Sequence, residues 1–245
     1  MNGIRLCTII PTYNNEKTIL KLVENVHQYV EDIIVINDGS TDNTLEVLHH
    51  INFYINIISH GRNKGKGKAL LTGIYAARTK GFTHVITIDA DGQHFASDIP
   101  VLLSALENNS KGIIVGYRNL TETNMPRSNT FANKFSNFWF WVQTTINLPD
   151  TQSGFRLYSL SSLNGLRFIT SRYESELELL VFAAWTGVMI TSVPVRVYYP
   201  PEEERVSHFR PVYDFVRISI LNIVLCIGAL FYGYPNLLVR KLKKR

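Results

Sequence analysis

Two carboxylates one residue apart, Asp89 and Asp91, follow an apolar run of Val85, Ile86 and Ile88 and precede Gly92, Gln93 and His94. Such a run reads as a short buried strand, and a buried strand that ends on two like charges needs something to neutralise them. Carboxylate and amide oxygens are hard donors that suit magnesium or manganese. Asp89, Asp91 and Gln93 are therefore the candidate ligands of a divalent cation, one that would bridge to the phosphates of a substrate. A plain strand-end turn, in which the aspartates and Gly92 serve only the backbone, is the alternative the motif alone leaves open.

Other polar clusters recur at similar places. Pro11-Thr12-Tyr13-Asn14-Asn15-Glu16 follows the apolar run Leu6 to Ile10, and Asn37-Asp38-Gly39-Ser40-Thr41-Asp42-Asn43-Thr44 follows Ile33 to Ile36. Gly61-Arg62-Asn63-Lys64-Gly65-Lys66-Gly67-Lys68 precedes a predicted helix and suggests an anion loop or a solvated turn. It fails two nucleotide fingerprints: a Walker loop requires glycine where Lys66 stands, and a dinucleotide loop requires it where Leu70 stands.

The elements that would place these clusters alternate along the chain. A strand over Leu6 to Ile10, a helix from Lys17 to Tyr29, a strand over Ile33 to Ile36 and a capped helix after it predict parallel βαβ units in one α/β domain. In such sheets ligands lie beyond the carboxyl ends of the strands, where the loops at Pro11 to Glu16 and Asn37 to Thr44 and the Asp89-Ala90-Asp91 stretch all fall. Tyr54 to Ser59 predicts a third strand and Ala69 to Thr79 a helix. Ser97 to Glu107 predicts another helix and Gly112 to Gly116 a strand ending at Tyr117-Arg118. Met125 to Ile146 is an aromatic-rich helix, Asp150 to Arg156 a polar turn, and Tyr173 to Leu180 the start of an amphipathic helix. Val188 to Tyr199 is a strand region interrupted at Pro194, and Pro200 to Arg210 a charged loop.

Composition narrows the partners. The 245 residues carry a net charge of +5, but Arg240, Lys241, Lys243, Lys244 and Arg245 account for all of it, so residues 1–239 are balanced and offer no footprint for nucleic acid. Cys7 and Cys226 have neither zinc nor disulfide spacing, which fits a reducing compartment. The N-terminus goes directly into a strand-like run, so the expectation is a catalytic part in the cytoplasm. Ile218 to Val239 has no charged residue and would barely cross a bilayer of ~30 Å. A span would put the basic tail outside, against the positive-inside tendency. The expectation is a helix from Asp214 to Phe231, a break at Gly233-Tyr234-Pro235, and a second helix on the cytoplasmic leaflet with the tail on acidic headgroups. The alternative is a buried C-terminal helix pair.

Taken together, Pro11 to Glu16, Asn37 to Ser40, Asp89 to Gln93 and Ser153 to Arg156 resemble the family 2 glycosyltransferases of GT-A fold, and within them the dolichol- or polyprenyl-phosphate sugar transferases. The resemblance covers residues 4 to 210. It implies a nucleotide-diphosphate sugar donor, Mg2+ or Mn2+, and inversion at the anomeric carbon; with the apolar run and basic tail, the expected division is a catalytic domain over 1–212 and a membrane-associated helical segment over 213–245. By motif, it assigns Pro11, Tyr13, Glu16 and Asp38 to the nucleoside, and Asp89, Asp91 and Gln93 to the metal. Arg118 falls to the diphosphate, Asp150, Gln152, Ser153 and Gly154 to the sugar, and Glu176, crowded by Glu174 and Glu178, to the acceptor side. Asn37 stands where relatives often have aspartate, and Arg205-Val206-Ser207-His208 departs from the mannosyltransferase pattern.

A lipid phosphate acceptor would attack without a base, with Arg127, Lys134, Arg205 and His208 on the acceptor side. A sugar or lipid hydroxyl, as in cell-envelope polysaccharide or glycolipid synthesis, would need Asp150 or Glu176 to take its proton. A nucleotidyltransferase would need a glycine- and arginine-rich loop after the first strand, which Pro11 to Asn14 is not. A non-catalytic nucleotide- or lipid-binding subunit of the same fold is the remaining alternative.

Overall fold

The computed structural model describes residues 3–119, 127–165, 170–199 and 211–243. Seven strands form one sheet in the order β3-β2-β1-β4-β6-β5-β7. They are β1 (Leu6–Thr12), β2 (Ile33–Asn37), β3 (Asn56–Ser59), β4 (His84–Thr87), β5 (Ile113–Arg118), β6 (Arg156–Ser159) and β7 (Ile190–Val195). The helices are α1 (Ile19–His27), α2 (Thr44–His49), α3 (Lys66–Thr79), α4 (Ile99–Ala105), α5 (Arg127–Thr144), α6 (Glu174–Trp185), α7 (Pro211–Gly228) and α8 (Tyr234–Lys243). All strand pairs are parallel except those made by β6, which runs antiparallel to both β4 and β5.

Strand periodicity divides the core into two layers, because alternate side chains leave opposite faces of the pleat. Cys7, Ile9, Ile34, Ile36, Val85 and Val115 pack beneath α3, α6 and α7. Ile10, Ile33, Val35, Ile86, Ile88 and Ile114 pack beneath α1 and α4. With both faces covered, the strands read as near-continuous Val/Ile runs.

Several sequence expectations are corrected. The polar turn at Asp150 to Arg156 continues into β6, a strand whose first residue is a fully buried arginine. β7 runs through Pro194 instead of stopping there; it is an edge strand, where a missing N–H is tolerated. α6 is not amphipathic: Glu174, Glu176 and Glu178 are as buried as its leucines, the first two beside the sequence-distant Arg217 and Lys66 and the third bonded to nearby Thr170. α3 begins at Lys66, so half of the Gly/Lys loop is helix. The break expected at Gly233-Tyr234-Pro235 is a π-helical turn, Ala229–Gly233, that carries α7 into α8 without interruption; a wider turn accommodates the N–H that Pro235 lacks.

Candidate active site

The carboxyl ends of β1, β2 and β4 open into a cavity of about 640 Å³ lined by Pro11, Tyr13, Asp38, Lys66, Asp89, Asp91, Gln93 and Tyr173, among others. Its wall is tied together by polar side chains. Asn14, at a positive φ of 53°, accepts the Thr41 N–H (2.8 Å) and so joins the loop after β1 to the loop after β2. Asp38 accepts the N–H groups of Lys64 and Gly65 at 2.9 and 2.8 Å and pairs with His60 Nδ1 at 2.6 Å. This carboxylate therefore fixes the loop that delivers Lys66.

Lys66 is the residue that sequence reading missed. Its Nζ lies 2.7 Å from Asp89 Oδ1 and 2.8 Å from Glu176 Oε2, linking β4 to α6 across the cavity floor. Burial works against its charge, but Asp89 and Glu176 outweigh burial and hold the ammonium protonated; the same contact pulls the Asp89 carboxyl below its ordinary range. Gly154 faces the other Asp89 oxygen: a Cβ there would sit 2.3 Å from Oδ2. Only glycine leaves Asp89 its place.

Asp91 is in a different state. Among the described residues no cationic nitrogen lies within ion-pair distance of it, and its Oδ1 accepts the Gln93 N–H at 3.0 Å. Burial, then the neighbouring Asp89 charge, pushes its carboxyl up to about 6. Beside it His94 is buried, with Nδ1 unpartnered among the described residues, and burial pushes its pKa down to about 4, so it adds no positive charge at neutral pH. Two hard carboxylates, one of them short of a cation, with the Gln93 amide lining the same cavity, fit a divalent metal by donor chemistry. Among the described residues no three His, Cys, Asp or Glu side chains come together as a cluster of metal ligands.

Arg118 and Asp150 form a second, self-contained unit. Arg118 donates Nε–H and Nη2–H to Asp150 at 2.6 and 3.1 Å. Asp150, fully buried, also accepts from Asn133 Nδ2 and from the N–H groups of Gln152 and Ser153. Burial alone would raise its carboxyl; Arg118 outweighs that and holds it below its usual range. Arg156 is buried behind this turn and donates to the carbonyls of Ser153, Thr151 and Glu176 at 2.6, 2.9 and 3.0 Å. It staples the 150–154 turn to the first turn of α6.

Of the candidates named from sequence, Pro11, Tyr13, Asp38, Asp89, Asp91 and Gln93 line one cavity, Glu176 joins it through Lys66, and Gly154 abuts Asp89. Glu16 turns instead to the Asn43 N–H (3.1 Å), and Gln152 Nε2 to the Ala132 carbonyl (3.4 Å). Ser153 is buried and accepts the Phe155 N–H. Among the three α6 glutamates, Glu174 lies by Arg217 at 3.7 Å and Glu178 binds the Thr170 N–H at 2.8 Å. Lys134 is exposed in a separate hollow with Phe138 and Trp141. Arg205 and His208 lie outside the described residues, as does the side chain of Arg127, which opens α5.

Comparison with known proteins places these observations. Residues 7–167 match glycosyl transferase family 2. The UDP-N-acetylglucosamine--dolichyl-phosphate N-acetylglucosaminyltransferase of Methanococcus voltae is 34% identical over 213 residues, covering 78% of this chain and 84% of that one. A dolichyl-phosphate beta-glucosyltransferase of Trichomonas vaginalis is 31% identical over 212 residues, covering 76% and 64%. Glucosyl-3-phosphoglycerate synthase from Mycobacterium tuberculosis, solved with Mn2+, uridine diphosphate and phosphoglyceric acid, superposes with a TM-score of 0.71 at 19% identity, covering 93% of this chain and 78% of that one. At that identity the likeness speaks for a shared fold.

Proposed function

Because the chain belongs to glycosyl transferase family 2 and carries its GT-A fold, we propose that it moves a sugar, with inversion, from a nucleoside-diphosphate sugar to the phosphate of a dolichol-type polyprenyl lipid at the cytoplasmic face of a membrane. The observation that carries this reading is the engagement of both carboxylates that would otherwise serve as bases. Asp150 is saturated by Arg118, Asn133 and two backbone N–H groups, and Glu176 is held by Lys66. A hydroxyl acceptor needs a carboxylate free to take its proton. A phosphate monoester, with a second pKa of about 6, arrives already as an anion.

In the transfer, an acceptor phosphate oxygen forms the new bond to the anomeric carbon. The bond from that carbon to the diphosphate breaks, and its electron pair leaves with the nucleoside diphosphate. Asp89, Asp91 and Gln93 would hold Mg2+ or Mn2+, which would supply positive charge against the departing diphosphate. The loops after β1 and β2, carrying Pro11, Tyr13 and Asp38, form the nucleoside end of the cavity. Lys66 keeps Asp89 and Glu176 at fixed separation, so the donor end and α6 act as one preorganised frame. Asp150 orients Arg118, whose guanidinium meets the growing negative charge.

UDP-N-acetylglucosamine and UDP-glucose are the first donors to test, since the relatives' names include a UDP-linked donor and a glucosyl product. Release of nucleoside diphosphate should appear with one member of a sugar-nucleotide panel, only when dolichyl phosphate is present, and should stop with EDTA. Release with every acceptor but the lipid phosphate would contradict the reading.

A further inference from the structure

Val216–Lys243 is one continuous helix of 28 residues, formed by α7, the π turn and α8. One stripe of it is built into the protein. Leu221, Leu225, Ala229 and Gly233, spaced by four, are buried with Asn222 against α5 and α6. Asn222 Oδ1 accepts from Gln143 Nε2 at 2.9 Å, and a Cβ on Gly233 would come within 2.4 Å of the Trp185 ring. The contact runs the length of α6: Arg217 lies by Glu174 at its first turn, and the Arg240 guanidinium crosses Gly187, just past its last. The opposite face exposes Ile220, Ile223, Val224, Ile227, Leu230 and Phe231, each about half or more accessible.

We infer that this helix lies in the plane of an anionic bilayer surface, with its exposed stripe in the outer hydrocarbon of one leaflet and its cations in the headgroups, and does not cross the membrane. Length and composition alone would permit a crossing, but the packing forbids it. A helix that spans would carry its partner α6 into the hydrocarbon, along with the groove beside Gly187 that holds Asn108, Asn109, Lys111, Ser161, Ser162 and Thr186. Lipid offers these groups no hydrogen bonds. Lying flat, the helix satisfies both of its sides, the ordinary arrangement of an interfacial helix. The occupant is identified by charge: Arg240, Lys241 and Lys243 follow the apolar stripe with no acidic residue between Ile218 and Lys243, a distribution that complements acidic lipid and not a second copy of the same face. The orientation also has a use. Arg217 and Glu174 mark the end of the helix nearest Glu176 and Lys66, so a lipid phosphate at headgroup level would enter beside the cavity. That use rests on the lipid-acceptor reading; the orientation itself does not.

The test uses the full chain without donor or turnover, so failure of membrane binding and failure of the transferase reading are separately visible. Partitioning is measured by flotation with phosphatidylcholine vesicles, with and without phosphatidylglycerol. The wild type should float with the anionic vesicles and be released by high salt or alkaline wash. Replacing Arg240, Lys241 and Lys243 by Gln should weaken binding roughly a hundredfold, and Ile227→Glu with Phe231→Glu, both at exposed positions, roughly tenfold or more. Spin labels placed singly by Ile220→Cys, Ile227→Cys and Leu238→Cys in a Cys226→Ala background should report one shallow depth. A graded depth that passes the bilayer centre would overturn the inference in favour of a span. Absence of vesicle binding, together with a dimer that the Ile227→Glu, Phe231→Glu variant abolishes, would overturn it in favour of a second copy.

Discussion

Burial and the Asp89 charge both work against ionisation of Asp91. A folded-state carboxyl at about 6, above the unfolded value of about 3.9, binds its proton more tightly in the native protein. In the absence of metal this group therefore reduces stability above pH 6, and the penalty disappears as pH falls through 6 towards 4. Asp91→Asn should raise the thermal midpoint at pH 8 in EDTA, by a free energy of roughly 1 to 3 kcal/mol, while abolishing metal-dependent turnover. Melting curves at pH 8 and pH 4 check the first half, since the gain should vanish at the lower pH. Metal uptake by the wild type should decline below pH 6, followed by titration calorimetry with Mn2+ and a nucleoside diphosphate. Lys66→Met should act in the other direction on stability, because it leaves Asp89 and Glu176 buried and without their cation; a loss of about 3 kcal/mol or more is expected from denaturant unfolding. Asp89 and Asp91 were legible because strand, charge and spacing are local. Lys66 was not, since both its partners lie far along the chain and a Gly/Lys loop looks the same whether it is solvated or locked.

At the scale of elements, the parallel units were legible for the same local reason: apolar runs of four or five residues, each followed by turn residues and a helical pattern. β6 and α6 were not. Arg156 at the head of a strand and three glutamates within five residues of helix read as solvent-facing, and their burial depends on acceptors and donors that other parts of the chain supply. The turn between α5 and β6 is the element that transmits this to the site. Gly154→Ala would bring a methyl group onto Asp89 Oδ2; it should cut turnover by at least tenfold, roughly 1.4 kcal/mol, while the far-ultraviolet spectrum stays unchanged. Asp150→Ala removes the partner of a largely buried guanidinium, Arg118, and should cost about 3 to 5 kcal/mol. Asp150→Asn, which keeps acceptor and shape, should recover part of that stability but not the charge that orients Arg118, and equilibrium unfolding of the pair would separate the two effects.

For the whole molecule, a family 2 catalytic sheet and an apolar helix share one core: Leu221, Leu225 and Ala229 belong to the same packed layer as Cys7 and Ile9. The sequence indicated an apolar segment with a basic end, but only packing along α6 distinguishes a flat helix from a span. The sheet would supply the donor cavity and the helix the acceptor's surface, so transfer would take place at the join of the two. The most direct test is transfer of radiolabelled sugar from UDP-N-acetylglucosamine or UDP-glucose to dolichyl phosphate in vesicles, read as label extracted into organic solvent. Lipid-linked label should form only with Mn2+ or Mg2+ and should be absent with Asp91→Asn. Lipid-linked label formed equally well in EDTA, or by the Asp91→Asn protein, would contradict that dependence.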